Sequence, residues 1–259
     1  MIPKIIHYCW LSNDPIPKEL THYMNSWKKH LPDYTFILWN FDRFDKKSSQ
    51  WVQEAFNHKK YAFAADYIRL YALYHYGGIY LDMDVEVLKS FTPFLSLNTM
   101  IGFEHGNNGL EMATLGTEKN AAWIESCLKY YEGRSFIKKD GSLDTTTLPY
   151  IIFNTCKKNG YQLKLINSIE EALSVQNKNV IPVFSSDFFS PKQSFKSDKI
   201  NITMNTVSIH HFAGTWLPWY SQLEKTICNF FKIESHDFIR RALYKLQIER
   251  NKIQNKKQK

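Results

Sequence analysis

Two aspartates, Asp82 and Asp84, flank Met83 directly after the apolar run Ile79-Tyr80-Leu81. Such a run should be buried, and two carboxylates at its end repel each other unless a cation compensates them. On an extended segment at a strand's carboxyl end, the pair lies where open α/β sheets bind ligands. Hard oxygen ligands suit Mn²⁺ or Mg²⁺, ions that complete their shells with water and substrate phosphates. The competing reading is a solvated polar turn, and for the tripeptide alone it carries about half the weight. Upstream, Asp66 and Arg69 stand three apart, hence on one face of a helix. By themselves they read as a surface ion pair worth under about 1 kcal/mol. Ala62, Ala64 and Ala65 keep that face small, so the helix could approach a ligand closely. Tyr80 shares the side of Asp82 by the alternation of a strand. Asp66, Arg69, Tyr80, Asp82 and Asp84 can therefore face one cleft.

The elements that must hold these groups are legible. Tyr61 to Tyr76 predicts a helix, with Ile68, Leu70 and Leu73 as apolar surface and Gly77-Gly78 as its stop. Ile79 to Leu81 is a strand. Earlier, Lys4–Trp10 is a β-prone run, Pro17–His30 has helical spacing, Tyr34–Trp39 is a second buried-type strand and Trp51–Phe56 a short helix. This alternation predicts an α/β fold with a mostly parallel central sheet. Thr99–Phe103, Val180–Phe184 and Val207–Phe212 read as further strands of that sheet, and Ala121–Tyr131 and Leu148–Cys156 as helices.

The 259 residues, 44% hydrophobic and 15% aromatic, suffice for one large domain with a sizeable core. The net charge of +8 is unevenly placed. From Tyr220 onward there are ten Lys/Arg and four Asp/Glu, against 23 and 21 before it. A near-neutral body removes the footprint of a nucleic-acid binder. The expected division is a catalytic domain over 1–219 and a basic helical extension over 220–259. In that extension Phe238, Ile239, Ala242, Leu243 and Leu246 recur at helical spacing among Arg240, Arg241, Lys245 and Arg250. The stripe suits docking on the domain, and the Lys-rich end suits an anionic membrane surface. No run of about 18 apolar residues occurs. The start lacks the pattern of a secretory signal, and Cys9, Cys127, Cys156 and Cys228 form no CxxC pair, so reduced thiols in a cytoplasmic protein are expected.

The stretch from Phe63 to Asp84 strongly resembles the DxD-containing glycosyltransferase family 32. That family includes capsular-polysaccharide and lipopolysaccharide sugar transferases, and the catalytic domains of large clostridial toxins are related. The opening Ile2–Trp10 is similar to its first strand, and Ile209-His-His-Phe-Ala-Gly-Thr-Trp216 to its closing segment. The resemblance implies a GT-A-like nucleotide-sugar-binding sandwich, retention at the anomeric carbon, and a glycan acceptor, lipid-linked or free, in bacterial surface polysaccharide synthesis. It implies a nucleotide-sugar donor, with UDP-galactose or UDP-glucose ahead of GDP-mannose. Asp84 and Asp82 would reach Mn²⁺ (or Mg²⁺) and the diphosphate, and His210 or His211 would complete the metal shell. Asp66 and Arg69 would hold donor-sugar hydroxyls, Tyr80 the ribose region, Trp10 the base, and Trp216 the phosphates. Thr215 stands where related toxins often have Ser, which leaves the third metal ligand open.

Other features have plainer readings. His7 is expected as a hydrogen-bonded core residue, and Trp27, Trp39, Trp51 and Trp123 as packing. His75 suits a helix C-terminus. The loop Glu104–Gly109 and the following Glu111 could shape an acceptor site or be plain surface, Asp144-Thr-Thr-Thr147 resembles a helix N-cap or could contact the acceptor, and Asp187 could meet substrate or solvent. Phosphoryl transfer of the haloacid-dehalogenase type also uses a strand followed by DxD, but Glu86 stands where that pattern wants Thr or Val. A non-catalytic sugar-binding module would not need the whole Asp66/Arg69/Asp82/Asp84 set.

Overall fold

The structure, a computed structural model, describes residues 1–107, 109–194, 197–214, 223, 226 and 227. Thr215, Trp216, Cys228 and the stripe from Phe238 to Leu246 lie outside the described residues. The chain divides into two units, Met1–Lys192 with Ile200–His211, and Gln193–Lys199 with Phe212–Lys259.

In the first unit, β1 (Ile5–Cys9), α1 (Lys18–His30), β2 (Thr35–Trp39), α2 (Gln50–Asn57) and α3 (Tyr61–Tyr76) lead to β3 (Gly78–Leu81) and β4 (Val85–Val87). There follow β5 (Thr99–Phe103), β6 (Leu110–Thr117), α4 (Ala122–Lys129), α5 (Leu148–Lys158), β7 (Gln162–Ile166), α6 (Ile169–Leu173) and β8 (Val180–Phe184). The first unit also contains β11 (Ser208–His210), and the two-stranded ribbon β9 (Lys192–Ser194) and β10 (Ser197–Ile200) belongs mostly to the second unit.

Seven strands form the main sheet in the order β2-β1-β3-β6-β5-β8-β7. The pairs β1–β2, β1–β3, β5–β8 and β7–β8 are parallel, and only β6 runs against its neighbours β3 and β5. The α/β class with a mostly parallel sheet is therefore observed. β11 corrects one expectation, because it leaves the main sheet and pairs antiparallel with β4. β6 was not foreseen. Its Leu-Glu-Met-Ala-Thr-Leu-Gly-Thr is buried at every position, so its burial shows no alternation, and five of the eight residues are good helix formers.

Helices cover both faces. His7 and Tyr8 are neighbours on β1 and so point to opposite sides of the sheet. His7 faces Trp39 and α3's Tyr76, whereas Tyr8 meets Trp27 of α1 edge-on with centroids 5.6 Å apart. Trp27, Trp39, Trp51 and Trp123 are all buried, and each indole N–H has an acceptor: Val85 O, His7 Nδ1, Phe63 O and Thr99 Oγ1. All four are core, as expected.

The Gly77-Gly78 stop has two physical reasons. Gly77 at φ 64° lies in the left-handed region and closes α3 by donating its N–H to Leu73 O. Gly78 at φ 105° lets β3 close onto β1, since a Cβ there would sit 2.7 Å from Ile5 O and 3.2 Å from His7 Nε2. The small residues of α3 serve the same packing. Ala64 and Ala72 are fully buried and press on protein, whereas Ala62 and Ala65 stay partly exposed.

His7 is the polar pin of this junction. Its Nδ1 accepts from the Trp39 indole at 3.0 Å, so Nε2 carries the proton and donates to Gly77 O at 2.8 Å. Burial pushes the imidazole down from 6.5 to about 4. The unfolded chain then binds the extra proton between those values, so stability is full above pH 6.5 and falls as pH drops toward 4. The expected loss is about 3 kcal/mol by pH 4. His7→Gln keeps one donor and one acceptor without the titration. Urea unfolding at several pH values should show a shallower acid slope for this variant, and identical slopes would contradict the assignment.

Candidate active site

The DxD segment is the turn that carries the chain from the main sheet to the small one. Asp82 N–H donates to Ala113 O on β6 at 2.8 Å, and Val85 N–H closes the turn on Asp82 O at 3.0 Å. β4 then pairs with β11 so that Val85 stands opposite His210. His211 N–H donates to Asp84 O at 3.0 Å and ties the two segments together. A residue 126 positions downstream of Asp84 is thereby placed beside it.

Asp82, Asp84 and His210 offer ligand atoms that all lie within 4.8 Å of one another. Among the described residues this is the group of three or more suited to a metal ion. The donor set fits a Mn²⁺-type ion, with two hard carboxylates and one imidazole. His210 Nε2 is 3.6 Å from Asp84 Oδ2. The resemblance left His210 and His211 as alternatives, and only His210 joins the cluster. His211 is turned to Glu86, with Nε2 at 2.9 Å from Oε2, and stacks on Tyr23 at a centroid distance of 4.3 Å.

Arg69 has a different neighbourhood from the exposed ion pair that its spacing suggests. Its side chain is 6% exposed, and the stronger partner is Asp82 at 2.8 Å, with Asp66 at 3.5 Å. One terminal nitrogen donates to Met112 O on β6. The guanidinium carbon also lies 4.4 Å from the centre of the Tyr80 ring. Tyr80 is 1% exposed, so it supports Arg69 and has no open surface for a ribose. Arg69 directs one terminal nitrogen to Asp82 in the DxD turn and the other to β6, and its buried Nε has no hydrogen-bond partner among the described residues. Asp66 stays partly exposed, and burial raises its carboxyl to about 7, with Arg69 opposing the rise and Asp82 adding to it. Burial raises Asp82 as well, against the pull of Arg69.

Glu111, read from sequence as a possible surface residue, is fully buried on β6. Its Oε1 accepts the Ala113 N–H at 2.6 Å, and its Oε2 lies 3.1 Å from His210 Nδ1. Although burial opposes both charges, the pairing holds Glu111 below its ordinary range and His210 well above 6.5, with Asp84 assisting. Glu104 closes the neighbouring loop by donating its N–H to Gly109 O, and burial raises its carboxyl to about 7, with Glu111 adding to the rise. A signal for Glu111 existed in the sequence: it is the lone charge in an otherwise uncharged eight-residue run after a glycine.

Trp10 follows the carboxyl end of β1, half-buried, with its indole donating to Asp14 O at 2.8 Å. β1 and β3 are parallel, so Trp10 and Asp82 leave the same edge of the sheet. Cys9, beside them, is pushed up by burial. Two other sequence candidates are structural. Asp144 accepts from the Thr146 backbone and hydroxyl, while Thr147 takes the N-cap position of α5. Asp187 accepts from Ser185, Thr203 and Asn205 and fastens a loop.

Residues 17–104 match the family described as "glycosyltransferase sugar-binding region containing DXD motif". That region contains Asp66, Arg69, Tyr80, Asp82 and Asp84, and leaves out Trp10, Glu111 and His210. The chain is similar to inositol phosphoceramide mannosyltransferase 1 of Schizosaccharomyces pombe, 34% identical over 107 residues, 39% of this chain and 33% of that protein. It is also similar to mannosyl phosphorylinositol ceramide synthase CSH1 of Saccharomyces cerevisiae, 38% identical over 101 residues, 38% of this chain and 27% of that protein. The chain thus spans about a third of the length of these curated relatives. The solved structure titled "PaToxG Glycosyltransferase" overlaps at a TM-score of 0.45 and 18% identity, covering 61% of this chain and 70% of that one.

Removing the Arg69 charge should cost stability as well as geometry. Arg69→Met leaves Asp66 and Asp82 without their buried counter-charge, and a loss of about 3 kcal/mol is expected. Guanidinium unfolding at pH 7.5 measures it. A loss below about 1 kcal/mol would return the pair to the class of exposed ion pairs.

Proposed function

We propose that this protein is a metal-dependent glycosyltransferase that moves a hexose from a nucleotide-sugar to a glycan or lipid-linked acceptor. The observation that carries the reading is the convergence of Asp82, Asp84 and His210 at the exit of β3, inside or beside a region that matches a sugar-transferase family. Among the described residues, Asp66, Asp82 and Arg69 form one charged group and Asp84, Glu111 and His210 another, a carboxylate-rich setting that suits a divalent cation. A GT-A-like donor site at this edge of the sheet agrees with the ligand position of open α/β sheets.

Breaking the sugar–phosphate bond releases a diphosphate. Asp82, Asp84 and His210 would hold a divalent ion, which would compensate the charge that develops on that leaving group. Arg69 keeps the Asp82 carboxylate aimed and Tyr80 keeps Arg69 in place. Asp66, with its carboxyl near 7, can accept from or donate to a sugar hydroxyl. Trp10 offers an aromatic edge for the base. The match to a glycosyltransferase region favours this chemistry over phosphoryl transfer of the dehalogenase type.

The donor preference drawn from the resemblance is a UDP-hexose, in bacterial capsule or lipopolysaccharide synthesis. The relatives named as an inositol phosphoceramide mannosyltransferase and a mannosyl phosphorylinositol ceramide synthase favour a second reading, mannose as the sugar and an inositol phosphoceramide-type lipid as the acceptor. A basic extension over 220–259 would suit work at a membrane surface from the cytoplasmic side. No helix among the described residues is long and apolar enough to cross a membrane.

The test is donor turnover with UDP-galactose, UDP-glucose and GDP-mannose, with and without Mn²⁺. Turnover of one donor should vanish in EDTA and return with Mn²⁺, and Asp84→Ala should lower it by at least about 100-fold. Full activity in EDTA, or an active Asp84→Ala protein, would overturn the metal-dependent mechanism.

A further inference from the structure

We infer that Glu111 is the positioning residue of the metal centre, holding His210 in the one tautomer and orientation that can ligate. This rests on the proposed metal site and assigns it a support that neither the DxD spacing nor the matched region contains.

Three observations converge on it. Glu111 is fully buried, where an unpaired carboxylate would be costly. Its oxygens have distinct partners: Oε1 takes the Ala113 N–H at 2.6 Å, and Oε2 lies 3.1 Å from His210 Nδ1. A bond to an acceptor-only carboxylate requires a proton on Nδ1, so Nε2, once it gives up its own proton to solvent, is the nitrogen that can ligate. Nε2 is the nitrogen that faces Asp84.

The backbone delivers Glu111 to this place. On β6 it stands opposite Gly102 of β5, next to a register shift between Met100 and Gly102. A bulge of this kind re-aims side chains. Gly102 has no room for a Cβ, which would lie 2.8 Å from the Phe189 ring. The Ala113 N–H that fixes Glu111 belongs to the residue whose carbonyl fixes Asp82. One residue of β6 thus sets both the DxD turn and the carboxylate behind the histidine. A carboxylate behind a ligating imidazole orients the ring and raises its basicity, and its loss typically weakens metal binding 10–100-fold.

The experiment is Mn²⁺ titration by calorimetry on the full chain, for wild type, Glu111→Gln, His210→Ala and the double variant. Glu111→Gln should weaken Mn²⁺ about 10–100-fold. In the His210→Ala background the same change should have no further effect, which a merely structural role would not produce. A wild-type affinity in Glu111→Gln, or an equal loss in both backgrounds, overturns the assignment while leaving the metal site standing. Wild type that binds no Mn²⁺ overturns the metal reading itself, and this inference with it. Nitrogen-15 NMR of histidine in the wild-type protein needs no variant: His210 should be protonated at Nδ1 with Mg²⁺ bound. An Nε2-protonated His210 in that state refutes the inference even if Glu111→Gln fails to fold.

Discussion

The buried guanidinium of Arg69 joins three parts of the molecule that have no covalent reason to meet. It rises from the middle of α3, reaches the backbone of β6 at Met112, and grips Asp82 in the turn after β3. A charge placed so deep is costly unless its partners are well aligned, and here two carboxylates, a carbonyl and an aromatic face share it. The helix, the antiparallel strand and the DxD turn are therefore held to one geometry. Tyr80 underneath and Gly77-Gly78 at the helix end serve the same alignment, the first by filling space and the second by allowing close approach.

Around this anchor the site is built in two layers. Asp82, Asp84 and His210 present ligand atoms to one point, and Arg69 and Glu111 stand behind them. Both supports are tied to β6, whose reversed direction makes it the hub of the sheet between β3 and β5. Burial raises the Asp66 and Asp82 carboxyls, and a divalent ion at the proposed site would relieve the cost of ionising them.

Much of the frame was readable without coordinates. The helix over Tyr61–Tyr76, its glycine stop, the strand that follows and most of the other elements agree with their local patterns. So do the buried histidine and the four core tryptophans. The unreadable parts share a cause. β6 is buried on both faces and lacks a period, β4 is too short to show one, and β11, legible as a strand within Val207–Phe212, joins β4 rather than the main sheet. Arg69 looked like a surface partner of Asp66 because spacing along a helix says nothing of what packs on it.

The sequence by itself determined the chemistry that is available: paired carboxylates after a buried strand, an arginine and an aspartate on one helix face, two adjacent histidines far downstream. Local spacing fixes these, because helix and strand periods are properties of the backbone. Only the tertiary structure decided which groups meet. The β4–β11 pairing selected His210 over His211, and the β6 register brought Glu111 behind it. The same packing set Arg69 to hold the turn. Such choices depend on contacts between segments distant in sequence, whose register is set by the burial of a whole sheet and not by any residue's own neighbours.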